Sequence, residues 1–370
     1  MSVGADLSLE ERIGQLFWIG FQGTSLGPEL RALLDQVRPG GLILFSRNIE
    51  SASQVRSLTD DLYRAVRVPP FIALDQEGGR VNRLKPIVGA IPPNLELAGR
   101  PDAGAAVRRH SQATAQALRS LGFSVNFAPV LDLSDRDPRN GIGDRAYGHD
   151  PGVVCRLARA FLEAHLSAGV VPVGKHFPGL GSARADTHLT LPVIQKSRAR
   201  LWDEDLLPYR RLRRKLPAVM VGHAHYPAIQ GPASAPATLS RPVVDTFLRK
   251  KVEYGGLILT DDLEMGAVDQ TPGGGLALRA LAAGHDGLMF CSSEVKIRAA
   301  HAELLAAVRE GDVGAARIGA SVRRMLRLKN RFLVRRRRAP HAPESVDRSR
   351  RLLASLGGGA DSGVDPTARS

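Results

Sequence analysis

Three observations predict that this 370-residue chain is an α/β protein built as a (β/α)8 TIM-like barrel in a single domain. Short apolar runs recur along it, helix-like segments separate most of them, and the chemically informative polar residues sit where the runs end. The runs are Trp18–Phe21, Gly41–Phe45, Phe71–Asp75, Ser124–Pro129, Val170–Phe177, Ala218–His223, Leu257–Asp261 and Gly287–Cys291. Their centres are continuous in Val, Ile, Leu and Phe, which suits strands buried on both faces of a parallel sheet. Between most of them lie Gln54–Arg67, Ala105–Leu121, Val153–Ala168, Pro242–Lys251 and Leu276–Ala283, with apolar residues at the three- and four-residue spacing of a helix face. A doubly wound open sheet is the competing architecture. It loses weight because no G-x-G-x-x-G follows the first strand.

With 43% hydrophobic and 24% charged residues the composition is that of a globular protein, which excludes disorder throughout. The net charge of +14 suggests an anionic partner, but the excess is local. Residues 323–351 carry twelve Lys or Arg against Glu344 and Asp347, whereas residues 1–322 are only +5. The expected organisation is a catalytic barrel over residues 1–335 and a flexible tail over 336–370, basic and then rich in Gly, Ser and Pro. The Arg335–Arg338 run reads as a solvated helix end rather than a nucleic-acid contact, since no aromatic residues interleave with it for stacking. Cys155 and Cys291 read as buried thiols, because two cysteines make no disulfide framework. Residues 1–16 carry no signal-peptide pattern and no segment is long and apolar enough to span a bilayer, so a cytoplasmic monomer is expected.

Barrel enzymes draw their chemistry from the C-terminal ends of the strands. Those positions hold Asp75, Asp132, Lys175 with His176, His223 with His225, and Asp261 with Asp262. Several charges at one barrel mouth are costly to desolvate without partners, which marks a site. In Asp75-Gln76-Glu77-Gly78-Gly79-Arg80-Val81-Asn82-Arg83, Asp75 and Arg83 are the ligand candidates, while Glu77 and Arg80 read as internal salt-bridge partners around a Gly-Gly turn. Lys175-His176-Phe177-Pro178-Gly179-Leu180-Gly181 leads into a loop bearing Asp186 and His188. Two positions apart in an extended loop, that carboxylate can orient the imidazole as a general acid/base, and the glycines around Leu180 would let the loop move. Of the adjacent acids ending the seventh run, Asp261 is the candidate to face the mouth and Asp262 the one to turn outward as a cap. An ionised, fixed carboxylate there suits a nucleophile; a metal ligand or a helix cap are the alternatives.

Taken together, Gly40–Asn48, Asp75–Val81, Asn126–Asp132, Gly143-Asp144-Arg145, Lys175–Gly179, Pro236–Ser240 and Thr260–Met265 resemble, in order, the bacterial β-N-acetylhexosaminidases of glycoside hydrolase family 3. The resemblance runs from about Glu11 to Phe290. It implies that Asp261 is the nucleophile of a retaining mechanism and that His188, oriented by Asp186, is the acid/base. It further implies that Asp75, Arg83, Arg145, Lys175 and His176 bind the N-acetylglucosamine ring, and that neither cofactor nor metal is required. The implied substrates are muropeptides of cell-wall recycling that end in β-linked N-acetylglucosamine. The sequence departs from the family pattern in three places: Leu180 stands where many members have a second histidine, Asp135–Asn140 is unusually charged, and the tail matches nothing in the pattern.

The competing readings are a β-glucosidase or β-xylosidase of the same family and a metal-dependent hydrolase. The latter would use His176, His188, His223, His225 and Asp261 around zinc. A nucleic-acid binder led by the basic tail is the third.

Overall fold

The computed structural model describes residues 6–134, 141–183, 187, 190–233, 235–269, 275–334, 342–357 and 365. Its centre is a closed barrel of parallel strands: β1 (Phe17–Gly20), β2 (Gly41–Ile43), β3 (Phe71–Leu74), β6 (Val125–Asn126), β7 (Val171–Phe177), β8 (Ala218–Val221), β9 (Leu257–Asp262) and β10 (Gly287–Phe290). All eight expected runs are barrel strands. They pair in chain order, and β1 closes the ring by pairing with both β2 and β10. The remaining two strands, β4 (Gln76–Gly78) and β5 (Val81–Asn82), form a small antiparallel hairpin on the β3 end. Gly78 and Gly79 turn it at φ +107° and +57°, a region that side chains disfavour. The fourth barrel strand is shorter than its apolar run because Pro129 has no N–H to give the ladder, which resumes at Val130 opposite Lys175.

Strand alternation sorts the side chains into two layers. Phe71 and Ala73, Val171 and Val173, and Leu257 and Leu259 belong to the cluster that fills the barrel around Trp18. Their neighbours Ile72, Leu74 and Ile258 face the surrounding helices. The bottom of the barrel is closed by the helix Ala315–Lys329 and its continuation Asn330–Val334, which insert Met325, Leu328 and Phe332. Lys329 is fully buried there and bonds Gln15 Oε1 at 2.6 Å; burial pushes its pKa well down. Both cysteines are buried and neither is in a disulfide, and burial raises the Cys155 thiol to about 11. Among the described residues no helix is long and apolar enough to cross a membrane.

One expectation needs correction. Within the stretch read as a flexible tail, Pro343–Ser355 is a helix packed on the helix Ala103–Ser120 and on the turn Lys85–Val88. Val346, Ser349, Leu353 and Leu356 are buried along one face. Composition averaged over 336–370 hid this short amphipathic stripe, whose spacing of three and four residues is a helix signal.

Three histidines are buried neutral. Burial lowers His110 to about 4 and both His165 and His285 to about 3. In His165, Nδ1–H donates to the Phe161 carbonyl and Nε2 accepts from Asn126, so a second proton would face a donor. An unfolded histidine binds its proton below about 6.5 while these do not, so stability is complete above that pH and falls as the medium is acidified towards 4. With all three titrating, the loss is expected to approach about 4 kcal/mol per pH unit. Urea midpoints measured between pH 7.5 and 4.5 check this; an unchanged midpoint contradicts it.

Candidate active site

The inward rows of the barrel continue upward into charge. Asp75 follows Phe71 and Ala73, Lys175 follows Val171 and Val173, and Asp261 follows Leu257 and Leu259, each in step with strand alternation. The same geometry that fills the barrel therefore aims these three at its C-terminal mouth. Lys175 Nζ lies 2.6 Å from Asp75 Oδ1 and 2.6 Å from Glu77 Oε1. Glu77, carried on the hairpin, also holds Arg145 by paired bonds of 2.8 and 2.9 Å. Burial acts to raise the Glu77 pKa, but the charges of Arg145 and Lys175 outweigh it and hold it well below the usual carboxylate range. Glu77 thus has the internal salt-bridge role expected of it. Arg80 does too, at 2.9 Å from Asp144.

Arg83 is buried behind Asp75, 3.9 Å away, with its guanidinium over the Phe45 ring. Its second acidic partner is Asp365, far along the chain. A sugar hydroxyl reaching Arg83 would share the guanidinium with that carboxylate. Arg145 donates to Glu77 through two nitrogens and to the Gly141 carbonyl at 3.0 Å, which among the described residues accounts for three of its five N–H groups. Its part in any site is as much to hold Glu77 as to touch sugar.

His176 donates through Nδ1 to Asp132 Oδ2 at 2.6 Å. The same carboxylate accepts the backbone N–H of His176 at 3.1 Å and that of Leu180 at 2.7 Å. Asp132 is therefore the clamp of this loop. Sequence reading noted it only as a strand-end acid, because its partner is 44 positions away; adjacency of β6 and β7 was the available signal. The glycines around Leu180 also have a different purpose from the mobility expected of them. A Cβ at Gly179 would lie 2.8 Å from Asp205 Cβ, and one at Gly181 would lie 1.5 Å from the Leu133 carbonyl oxygen. They permit close packing, and Tyr226 ties down the Gly179 carbonyl at 2.7 Å.

At the end of β9 the two acids differ in burial and in partners. Asp261 is half-buried and takes a 2.8 Å bond from the Asp262 N–H, while Asp262 is buried and accepts from Glu264 N–H at 3.0 Å as a turn cap. His223 Nε2–H donates to the Asp262 carbonyl at 2.9 Å, and Nδ1 lies 2.6 Å from Thr238 Oγ1, bracing this strand end. His225 is spent on the neighbouring loop, its backbone bonding Pro192 and Ile194. Among the described residues no group of three His, Cys, Asp or Glu is placed to hold a metal ion. Asp186 and His188 lie outside the described residues. Thr187, between them in sequence, accepts the Ala267 N–H at 3.3 Å, six residues after Asp261.

Residues 8–328 match the family described as Glycosyl hydrolase family 3 N terminal domain. The chain belongs to glycoside hydrolase family 3. A beta-hexosaminidase from Alkalilimnicola ehrlichii is 41% identical over 281 residues, 74% of this chain and 80% of that protein. One from Pseudomonas aeruginosa is 37% identical over 285 residues, covering 76% and 84%. Among solved structures, a family 3 beta-N-acetylglucosaminidase from Paenibacillus superposes with a TM-score of 0.87 at 34% identity, over 95% of this chain and 68% of that one. NagZ from Neisseria gonorrhoeae does so with a TM-score of 0.74 at 27% identity, over 93% and 98%. This family 3 chain is a glycoside hydrolase of the β-N-acetylhexosaminidase type.

Proposed function

We propose that the enzyme removes terminal, non-reducing β-linked N-acetylglucosamine from peptidoglycan-derived muropeptides with retention of configuration, in the cytoplasm. The observation that supports this reading is the Lys175–Asp75 pair at the C-terminal ends of β7 and β3, with Asp261 at the corresponding end of β9, in a family 3 chain. Asp75, Arg83, Lys175 and His176 supply a dense set of donors and acceptors for sugar hydroxyls, with Arg145 at their rear. Asp261 would attack the anomeric carbon and form a glycosyl ester as the aglycone leaves, and water would then cleave the ester. His188, oriented by Asp186, would give its proton to the leaving oxygen and recover one from that water. No step calls for a cofactor.

The test is a product assay with nitrophenyl N-acetyl-β-glucosaminide, nitrophenyl β-glucoside and an anhydro-muropeptide, each with and without phosphate. Free N-acetylglucosamine from the first and third substrates, with the glucoside turned over poorly, is the expected result. Faster release from the glucoside overturns the substrate reading, and a sugar 1-phosphate as product overturns hydrolysis.

A further inference from the structure

The barrel face opposite the active site holds a second concave feature. A cavity of about 540 Å³ opens between the lead-ins to β8 and β9 and the helix that closes the barrel bottom. Six cations line it, Arg213, Arg214, Lys215, Arg324, Arg327 and Arg331, against one acid, Glu253. Three of the six have acidic partners: Arg324 reaches Asp286 at 2.9 Å, Lys215 reaches Glu163 at 3.0 Å, and Arg213 reaches Glu253 at 3.5 Å. Arg214, Arg327 and Arg331 are exposed and, among the described residues, none pairs with an acid.

This arrangement works against the fold that carries it. Arg323, Arg327 and Arg331 recur every fourth residue along one helical face, where like charges repel. The spacing continues in sequence to Arg335, the start of the Arg335–Arg338 run that the glycosidase chemistry does not use. Across the cavity, Arg213-Arg214-Lys215 adds three consecutive cations. An anion seated between the two walls would relieve the repulsion on both. A single carboxylate neutralises one guanidinium, whereas linked phosphates offer several charges and an oxygen for each fork. Among the described residues no aromatic side chain lines the cavity, so a nucleobase would find no stacking surface.

We propose that this cavity is a binding site for a condensed phosphate chain, on the opposite face from the catalytic mouth. The proposal does not depend on the glycosidase reading, since it is tested by binding. The full chain is titrated calorimetrically with sodium tripolyphosphate and with inorganic monophosphate at low and physiological salt. Saturable tripolyphosphate binding is expected, weakening as salt rises, with monophosphate weaker by about tenfold or more. The doubly reversed variant Arg214→Glu with Arg327→Glu should lose at least about tenfold in affinity while turning over chromogenic substrate normally. Because both residues are exposed, an unchanged thermal midpoint is expected to confirm that the variant folds. The absence of saturable binding at low salt overturns the proposal, as does equal affinity in the variant. Binding to phosphatidylglycerol vesicles or to RNA without binding to tripolyphosphate overturns it as well.

Discussion

Asp261→Ala is expected to reduce turnover of an N-acetyl-β-glucosaminide by roughly 10⁴-fold or more while leaving the thermal midpoint almost unchanged. The two halves of that expectation have separate physical grounds. Asp261 is only half-buried and accepts the adjacent Asp262 N–H, so its truncation opens no large cavity in the barrel. The structural work at this strand end belongs to Asp262, which caps the following turn, and to His223, which holds the Asp262 carbonyl. Asp262→Ala should therefore give the complementary result, a lowered midpoint together with a smaller loss of turnover. On the proposed roles, removing the attacking oxygen would leave the sugar contacts of Asp75, Arg83 and Lys175 in place, so KM should change far less than kcat. Added azide should restore part of the turnover of Asp261→Ala and give the α-glycosyl azide, because a small anion can occupy the vacated carboxylate position. Near-normal activity of this variant would remove Asp261 from the mechanism.

Glu77→Ala is expected to destabilise the fold by about 3–5 kcal/mol, because it takes the paired carboxylate from buried Arg145 and leaves buried Lys175 with Asp75 alone. Glu77 is fully buried and accepts from both, so the penalty is that of uncompensated buried charge rather than of one lost bond. Glu77→Gln keeps an acceptor oxygen and should cost less. Arg80→Ala, at the hairpin rim where Arg80 pairs with a partly exposed Asp144, should cost under about 1 kcal/mol. Urea denaturation of the three variants checks the order. Equal losses for Glu77→Ala and Arg80→Ala would show that burial of the cluster does not set the cost.

Most of the barrel was legible because buried parallel strands need continuous apolar runs and amphipathic helices need a three-to-four spacing, and both are local properties. The helix Pro343–Ser355 was missed because a short amphipathic stripe disappears in the average composition of its surroundings. The hairpin that carries Glu77 was legible only as a Gly-Gly turn, since its strands are two and three residues long. The candidate site divides along the same line. Asp75, Lys175 and Asp261 could be picked from one strand at a time, by alternation.

Pairings between strands could not be read in that way. That Asp132 serves His176 and the Leu180 N–H, that Glu77 joins Lys175 to Arg145, and that Asp365 meets Arg83 are facts about residues separated by 44 to 282 positions. The glycines at 179 and 181 illustrate the difference: flexibility is what glycine permits locally, whereas here the Asp205 side chain and the Leu133 backbone come too close for a side chain. By itself, then, the sequence determined the barrel class, the strand ends that bear chemistry and the family to which they belong, because each follows from periodicity and motif order. Only the tertiary structure decided which charges neutralise one another and which are left facing the mouth, because desolvation and Coulomb energies depend on distance in space and not on spacing along the chain.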